Sequence, residues 1–170
     1  MKSMLSMFIV TSFVASMPSH AIYENAPVVN TEKILLRSGV SVQDLREGDG
    51  EEITEGKRVN IQWVLKRSNG YFIDSSSNND GVPFIFIVGG KTNPEAIAGL
   101  DEGIRGMRVG GIRRIIIPPS LAFVKGLDDG MPGPIPMGFG PKQRVRRVME
   151  NRMDVPDESF MIDVKATRVQ

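Results

Sequence analysis

Alternation of apolar and polar side chains predicts a series of β-strands from about residue 39 onward. The clearest case is 58–66, where every second residue is apolar and the residues between them are mostly polar, as expected for a strand with one buried face. Similar or compact apolar runs predict further strands near Val40 and Val42, and at 71–74, 84–88, 112–117 and 160–169.

Turn and helix signals divide these strands. Ser-Asn-Gly at 68–70 predicts a hairpin turn, and 75–81 predicts a polar surface loop. One short helix is predicted after Asn93, which can cap it, with Pro94 at its first position and Glu95 in its first turn. The Gly- and Pro-rich stretch 126–141 predicts a loop. Several strands and one short helix indicate the α+β class with a largely antiparallel sheet.

The N-terminal segment has the order of an export signal. Lys2 precedes an apolar run at 5–17, and Ser19-His20-Ala21 forms a small-x-small cleavage pattern. We expect cleavage after Ala21; the alternative is a buried N-terminal helix of the domain. The weakly patterned stretch 22–38 is then a tether, and 39–170 is the folded domain.

Composition excludes several kinds of chemistry. The chain of 170 residues has 41% hydrophobic and 24% charged residues and a net charge of +1, a normal balance for one soluble domain. It has no cysteine, and its one histidine, His20, lies in the predicted signal. The mature chain therefore lacks Ser–His–Asp catalysis, thiolate nucleophiles and the usual transition-metal ligands. Carboxylate chemistry or catalysis by environment remains, and we expect no metal or cofactor.

A basic cluster lies beside the predicted loop: Lys142, Arg144, Arg146 and Arg147. Such clusters are usually solvated surface, and the alternative is a docking site for an acidic protein partner. No aromatic residues interleave with these charges, so nucleic-acid binding is not expected.

Three stretches together resemble the FKBP family of peptidyl-prolyl isomerases: 70–76 (GYFIDSS), 97–110 (IAGLDEGIRGMRVG) and 114–123 (RIIIPPSLAF). The resemblance covers about 39–170, with an insertion at about 126–158. Within the family, 36–43 and 139–142 resemble plant and algal chloroplast members that are targeted to the thylakoid lumen. The signal then corresponds to the lumen-transfer half of a two-part targeting sequence; the alternatives are a bacterial periplasmic or a secreted protein.

The resemblance implies a curved antiparallel sheet wrapped around the helix, with an apolar pocket between them. It places Asp74 and Phe123 as the catalytic residues. It places as substrate-binding residues Trp63, Ile73, Phe84, Ala96, Ile97, Leu100, Ile135 and Ile162. The backbone N–H of Ile97 is implied to orient the bound peptide.

Some of these residues depart from the family pattern. Phe123 replaces a tyrosine whose hydroxyl holds a peptide carbonyl, and Leu100 replaces a tryptophan on the pocket floor; Ile73 and Ile162 replace phenylalanines. We therefore expect a monomeric peptidyl-prolyl isomerase that assists protein folding with weak activity. The alternative is a non-catalytic docking or assembly factor for lumenal or membrane protein complexes.

Overall fold

The computed structural model of the protein describes residues 32–90, 95–150 and 158–170. These ranges contain seven β-strands and two α-helices. Their bounds in chain order are β1 Ile34–Leu35, β2 Ser41–Arg46, β3 Arg58–Arg67, β4 Phe72–Ser75, β5 Phe84–Ile87, α1 Ala98–Gly103, β6 Ile112–Ile117, α2 Phe139–Glu150 and β7 Phe160–Val169. None of the helices within these ranges has the length and apolar character that crossing a membrane requires.

The strands form one open sheet in the order β1-β2-β6-β7-β3-β4, and β5 also pairs with β3. Every neighbouring pair is antiparallel. β3 is long enough to pair with β7 along one edge and with both β5 and β4 along the other. This sheet confirms the predicted α+β class.

One face of the sheet is buried beneath α1. The alternating apolar residues of β3 and β7 lie on this face, and Leu65, Ile162 and Val164 are fully buried there. Two glycines bring α1 close to β6: a Cβ added at Gly103 would lie 2.5 Å from Ile115 Cγ2, and Gly99 meets Ile117 in the same way. The close approach places the residues before α1 over the sheet.

The predicted start of the helix was wrong. α1 begins at Ala98 and not near residue 94, because Glu95 and Ala96 pair with other segments: the Glu95 carboxylate accepts the N–H of Ile87, and Ala96 bridges Gly133. Ile97 is the N-cap residue, with an extended backbone. Asn93 and Pro94 lie outside the described residues.

The insertion contains a helix that was not predicted from the sequence. Residues 139–141 were predicted as loop, but α2 begins at Phe139 and places Pro141 in its first turn, where a missing N–H costs little. Val145 and Val148 on α2 are fully buried. β1 was missed as well, since it lies in the predicted tether and pairs with β2 through two exposed residues. The predicted export signal lies outside the described residues.

Candidate functional site

The residues assigned by the resemblance belong to the core between the sheet and α1 or pack beside it, but they do not all line one cavity. Trp63 comes from β3, Ile73 and Asp74 from β4, Phe84 from β5 and Ile162 from β7. Ala96 and Ile97 precede α1, Leu100 lies within it, and Phe123 follows the loop after β6. The apolar members share one core cluster; Phe84 and Ile135 pack against it and are partly buried. We call this set, with Asp74 and Ile135, the apolar site.

Two further aromatic rings support the apolar site. Phe86 stacks on Phe84 with ring centroids 5.3 Å apart, and Phe160 meets Phe123 edge-on at 5.4 Å. Phe160 precedes Ile162 by two residues on the buried face of β7. The strand alternation identified Phe160 as a core residue but gave no sign that it would contact Phe123.

Asp74 is the buried carboxylate of the site and has 1% of its surface exposed. Its Oδ1 accepts a hydrogen bond from Asn78 Nδ2 at 2.8 Å, and its Oδ2 accepts one from the N–H of Met137 at 2.7 Å. Buried carboxylates are retained when both oxygens are hydrogen-bonded. Neither hydrogen-bond donor to Asp74 was predicted from the sequence, although Asn78 lies only four residues from Asp74.

The backbone N–H of Ile97 also has a partner within the chain. It donates to the carbonyl of Gly133 at 2.9 Å, and the N–H of Gly133 donates to the carbonyl of Glu95 at the same distance. The bond between Gly133 and Pro134 is cis. The group that the resemblance assigns to peptide orientation is therefore hydrogen-bonded to the insertion.

A cavity of about 590 Å³ opens beside the apolar site. Three of the assigned residues line it, namely Ala96, Ile97 and Phe123, and Ala122 and Pro132 extend its apolar wall. Charged side chains form the rest of the wall: Glu55, Asp101, Glu102, Arg105 and Lys125. The other assigned residues do not line this cavity, and Trp63 instead lines a separate cavity of about 280 Å³ beside Asp163.

The basic cluster lies on α2 and its members are not equivalent. Arg144 donates to the carbonyl of Ile73 at 3.3 Å and lies 5.7 Å from the centre of the Tyr71 ring. Lys142 lies 3.9 Å from a carboxylate oxygen of Asp129. Arg146 and Arg147 are exposed. Arg144 therefore attaches α2 to β4, the strand that carries Asp74.

A second buried carboxylate lies on the opposite face of β7. Burial raises the pKa of Asp163, but hydrogen bonds from Arg114 (2.7 Å) and Lys66 (2.9 Å) outweigh burial and hold this pKa below its ordinary value. Asp163 therefore remains charged and ties β7 to its neighbours β3 and β6.

The fold and site together define a class of protein: an α+β domain in which an open antiparallel sheet and a short helix enclose an apolar site around one buried carboxylate. The family model described as FKBP-type peptidyl-prolyl cis-trans isomerase matches residues 49–148, more than half of the chain. The chain belongs to this family.

Relatives and a solved structure agree with this assignment. The chain is 35% identical to the chloroplastic peptidyl-prolyl cis-trans isomerase FKBP17-1 of Arabidopsis thaliana over 81% of its own length and 56% of the relative's. It is 37% identical to the chloroplastic FKBP16-1 of the same plant, over 68% of this chain and 53% of the relative. The chain thus spans about half the length of these curated relatives. The crystal structure of AtFKBP13 superposes with a TM-score of 0.55 at 26% identity, covering 82% of this chain and 99% of that one.

Proposed function

We propose that the protein is a peptidyl-prolyl cis–trans isomerase acting on X–Pro bonds of protein substrates and assisting their folding. The observation that carries the proposal is the shared apolar core of Trp63, Ile97 and Phe123, against which Phe84 packs, together with the buried carboxylate of Asp74. Family membership supports the same reaction.

The chemistry requires no proton transfer. Rotation about an X–Pro bond must break amide resonance, which gives a barrier of about 18–20 kcal/mol. Water stabilises the planar amide by hydrogen-bonding its polarised carbonyl. An apolar site removes that water and favours the twisted, less polarised amide, so binding energy is realised at the transition state. This mechanism suits a mature chain without histidine or cysteine.

Each part of the site has a role in this proposal. Trp63, Phe84 and Leu100 pack around the proline ring, with Ile97 and Ile162, and Asp74 supplies fixed charge. We infer weak activity, since Phe123 has no hydroxyl for a peptide carbonyl and three family aromatic positions carry Ile73, Leu100 and Ile162. Fewer aromatic faces are then available to the ring.

The test is the rate of cis–trans isomerisation of a short X–Pro peptide at increasing protein concentration. We expect a rate above the uncatalysed value that rises linearly with protein. Arg147→Ala, on the exposed face of α2, is the control variant and should keep the full rate. Absence of acceleration at high concentration of folded protein would rule out the isomerase.

We place the protein in the chloroplast, and within it in the thylakoid lumen. The names of FKBP17-1 and FKBP16-1 support the first step, and the export-type order of 1–21 supports the second. Import into isolated thylakoids should deliver a protease-protected lumenal product whose N-terminal residue is Ile22. A product that stays outside the thylakoids with its apolar run intact would contradict the lumenal assignment.

A docking role remains the second candidate, because Arg146 and Arg147 are exposed while Lys142 and Arg144 contact the rest of the chain. We infer that an acidic partner would contact this exposed pair, and that the protein is otherwise a monomer. Capture of a polyglutamate peptide should fall after Arg146→Ala/Arg147→Ala and survive Lys142→Ala. Equal loss in both variants would assign the contact to overall charge.

A further inference from the structure

The apolar site is already in contact with a proline-containing stretch of the same chain. We call residues 133–137, Gly-Pro-Ile-Pro-Met, the proline segment. The carbonyl of its first residue, Gly133, accepts the N–H of Ile97 at 2.9 Å. The N–H of its last residue, Met137, donates to Asp74 at 2.7 Å. The N–H assigned to peptide orientation and the carboxylate assigned as catalytic are therefore both hydrogen-bonded to the proline segment, one at each end of it.

Apolar contacts fill the space between these two ends. Pro134 and Pro136 are buried, and Ile135 packs against the core cluster that holds Trp63 and Leu100. Ile135, assigned above to substrate binding, is thus itself part of the proline segment. The site side chains are buried in this arrangement, with Trp63 6% and Ile97 1% exposed.

The backbone pairing of Gly133 with 95–97 resembles the way in which extended peptides pair with the edge of a β-sheet. Ala96 bridges Gly133 in parallel register, and the N–H of Gly133 donates to the carbonyl of Glu95 at 2.9 Å. Main-chain pairing with side-chain pockets beside it is a recurring mode of peptide recognition. A peptide substrate that used the same N–H would have to displace Gly133.

The proline segment is built so that it can move as a unit. Gly130 and Gly138 flank it with φ of +87° and +77°, and a Cβ added at either would meet nothing within 4 Å. Glycines in open space with such backbone angles are suited to absorb the dihedral changes of a hinge. Beyond the C-terminal end of the proline segment, Arg144 attaches α2 to β4 through the carbonyl of Ile73.

We propose that the proline segment is an internal competitive ligand of the apolar site. The protein then exists in a closed state, which is the one described, and an open state in which 133–137 has left Ile97 and Asp74. X–Pro substrates bind only the open state, and their apparent dissociation constant rises by the factor by which the closed state is favoured. This inference rests on the proposed function and supplies a second cause for weak activity.

Gly133→Ala is the variant that opens the site. A Cβ at this position would lie 2.7 Å from the Ile135 nitrogen and 3.2 Å from Phe84 Cε2, so the segment has to shift. Gly140→Ala is the matched control, since its Cβ would meet nothing within 4 Å. Met137→Pro is the second opening variant. It removes the N–H that donates a hydrogen bond to Asp74, and it substitutes none of the assigned site residues.

The experiment measures binding of the synthetic heptapeptide Met-Pro-Gly-Pro-Ile-Pro-Met, with blocked ends, by titration calorimetry. Hydrogen exchange of the Ile97 and Met137 amides follows the segment in the same samples. We expect both opening variants to bind the peptide about tenfold more tightly than wild type, as for a site closed in about nine molecules of ten. The Ile97 amide hydrogen should exchange faster in both variants. The Met137 amide hydrogen should exchange faster in Gly133→Ala, since Met137→Pro has no amide hydrogen at this position. Gly140→Ala should match wild type throughout.

Failure of this proposal differs from failure of the proposed function. If Ile97 exchanges faster in the opening variants while peptide affinity stays at the wild-type value, the segment does not compete and the inference is wrong, whatever the isomerase rate. If affinity rises but neither wild type nor variants accelerate isomerisation, the segment is an internal ligand and the isomerase proposal is wrong.

Discussion

At the residue scale, Phe123 has the clearest chemical consequence. Its ring lines the cavity and contacts Phe160, with 4% of its surface exposed. The proposed substrate carbonyl then loses a donor that a tyrosine hydroxyl would supply. A hydrogen bond of this kind is worth about 0.5–1.5 kcal/mol.

Phe123→Tyr should therefore raise kcat/KM on an X–Pro peptide by about two- to twelvefold, since 1.36 kcal/mol corresponds to a tenfold change in rate. Phe139→Tyr is the matched control, because Phe139 is 77% exposed at the start of α2. An equal gain in both variants, or a loss in Phe123→Tyr alone, would contradict a missing donor at Phe123.

Gly103 is the second informative residue, since its missing side chain sets the distance between α1 and β6. Gly103→Ala should destabilise the protein by about 1–3 kcal/mol through overpacking against Ile115. Gly140→Ala on α2 has free space and is the control, which should change the free energy of unfolding by less than about 0.5 kcal/mol. Urea unfolding of both variants measures the two free energies, and a loss in Gly103→Ala no larger than that in Gly140→Ala would show that the α1–β6 contact yields.

At the scale of elements, Arg144 links α2 to β4 by a hydrogen bond. Arg144→Ala should cost about 1–2 kcal/mol, because it removes the hydrogen bond to Ile73 and the contact with the Tyr71 ring. Arg146→Ala, two residues further along α2 and exposed, should change the free energy of unfolding by less than about 0.5 kcal/mol. Chemical denaturation of both proteins checks the contrast, and matched midpoints would remove Arg144 as an attachment.

β7 is held to its neighbours by a carboxylate whose contribution depends on pH. The pKa of Asp163 is lowered from 3.8 in the folded chain, so the unfolded chain binds more protons at pH values between the two pKa values. Its stabilisation is therefore complete above about pH 5 and is lost as the pH falls through 3.8 toward the folded pKa.

The free-energy difference between wild type and Asp163→Asn should accordingly be larger at pH 7 than at pH 3, as measured by urea unfolding. Glu51→Gln is the control: its ion pair with Lys57 at 2.8 Å is exposed, and its difference should be small at both pH values. A difference for Asp163→Asn that does not change with pH would contradict the assignment.

At the scale of the whole molecule, the sheet edges favour a single chain in solution. β1 has two residues, and β5, on the other side, has four. Short edge strands offer few unpaired backbone groups to a second sheet. We expect light scattering to give the mass of one chain, up to 18.7 kDa, at micromolar concentration. A mass near twice that value would contradict the expectation of a single chain.

Most of the sheet could be predicted because burial on one face imposes a period of two. β6 and β7 begin and end at the predicted residues, and β3 extends one residue further. β1 could not be predicted, since its two exposed residues carry no period. α2 was hidden by glycine and proline at its start, although Val145, Val148 and Met149 have helical spacing.

The family resemblance proposes the members of the site, and their assignment stays a prediction. The hydrogen bonds that Ile97 and Asp74 make within the chain could not be predicted from the sequence. The occupation of Ile97 and Asp74 depends on where an irregular loop backbone passes, and the Met137 donor is 63 residues from Asp74 in sequence. Local pattern carries no information on such a distance.

The position of Trp63 has a practical consequence. It is the only tryptophan in the chain, and it lies almost fully buried within the apolar site. Its fluorescence emission therefore comes from one known environment, without labelling. Exposure to water on denaturation should shift that emission to longer wavelength, whereas a guest seated beside the indole should alter its intensity while the fold persists. One optical signal thus separates loss of structure from occupancy.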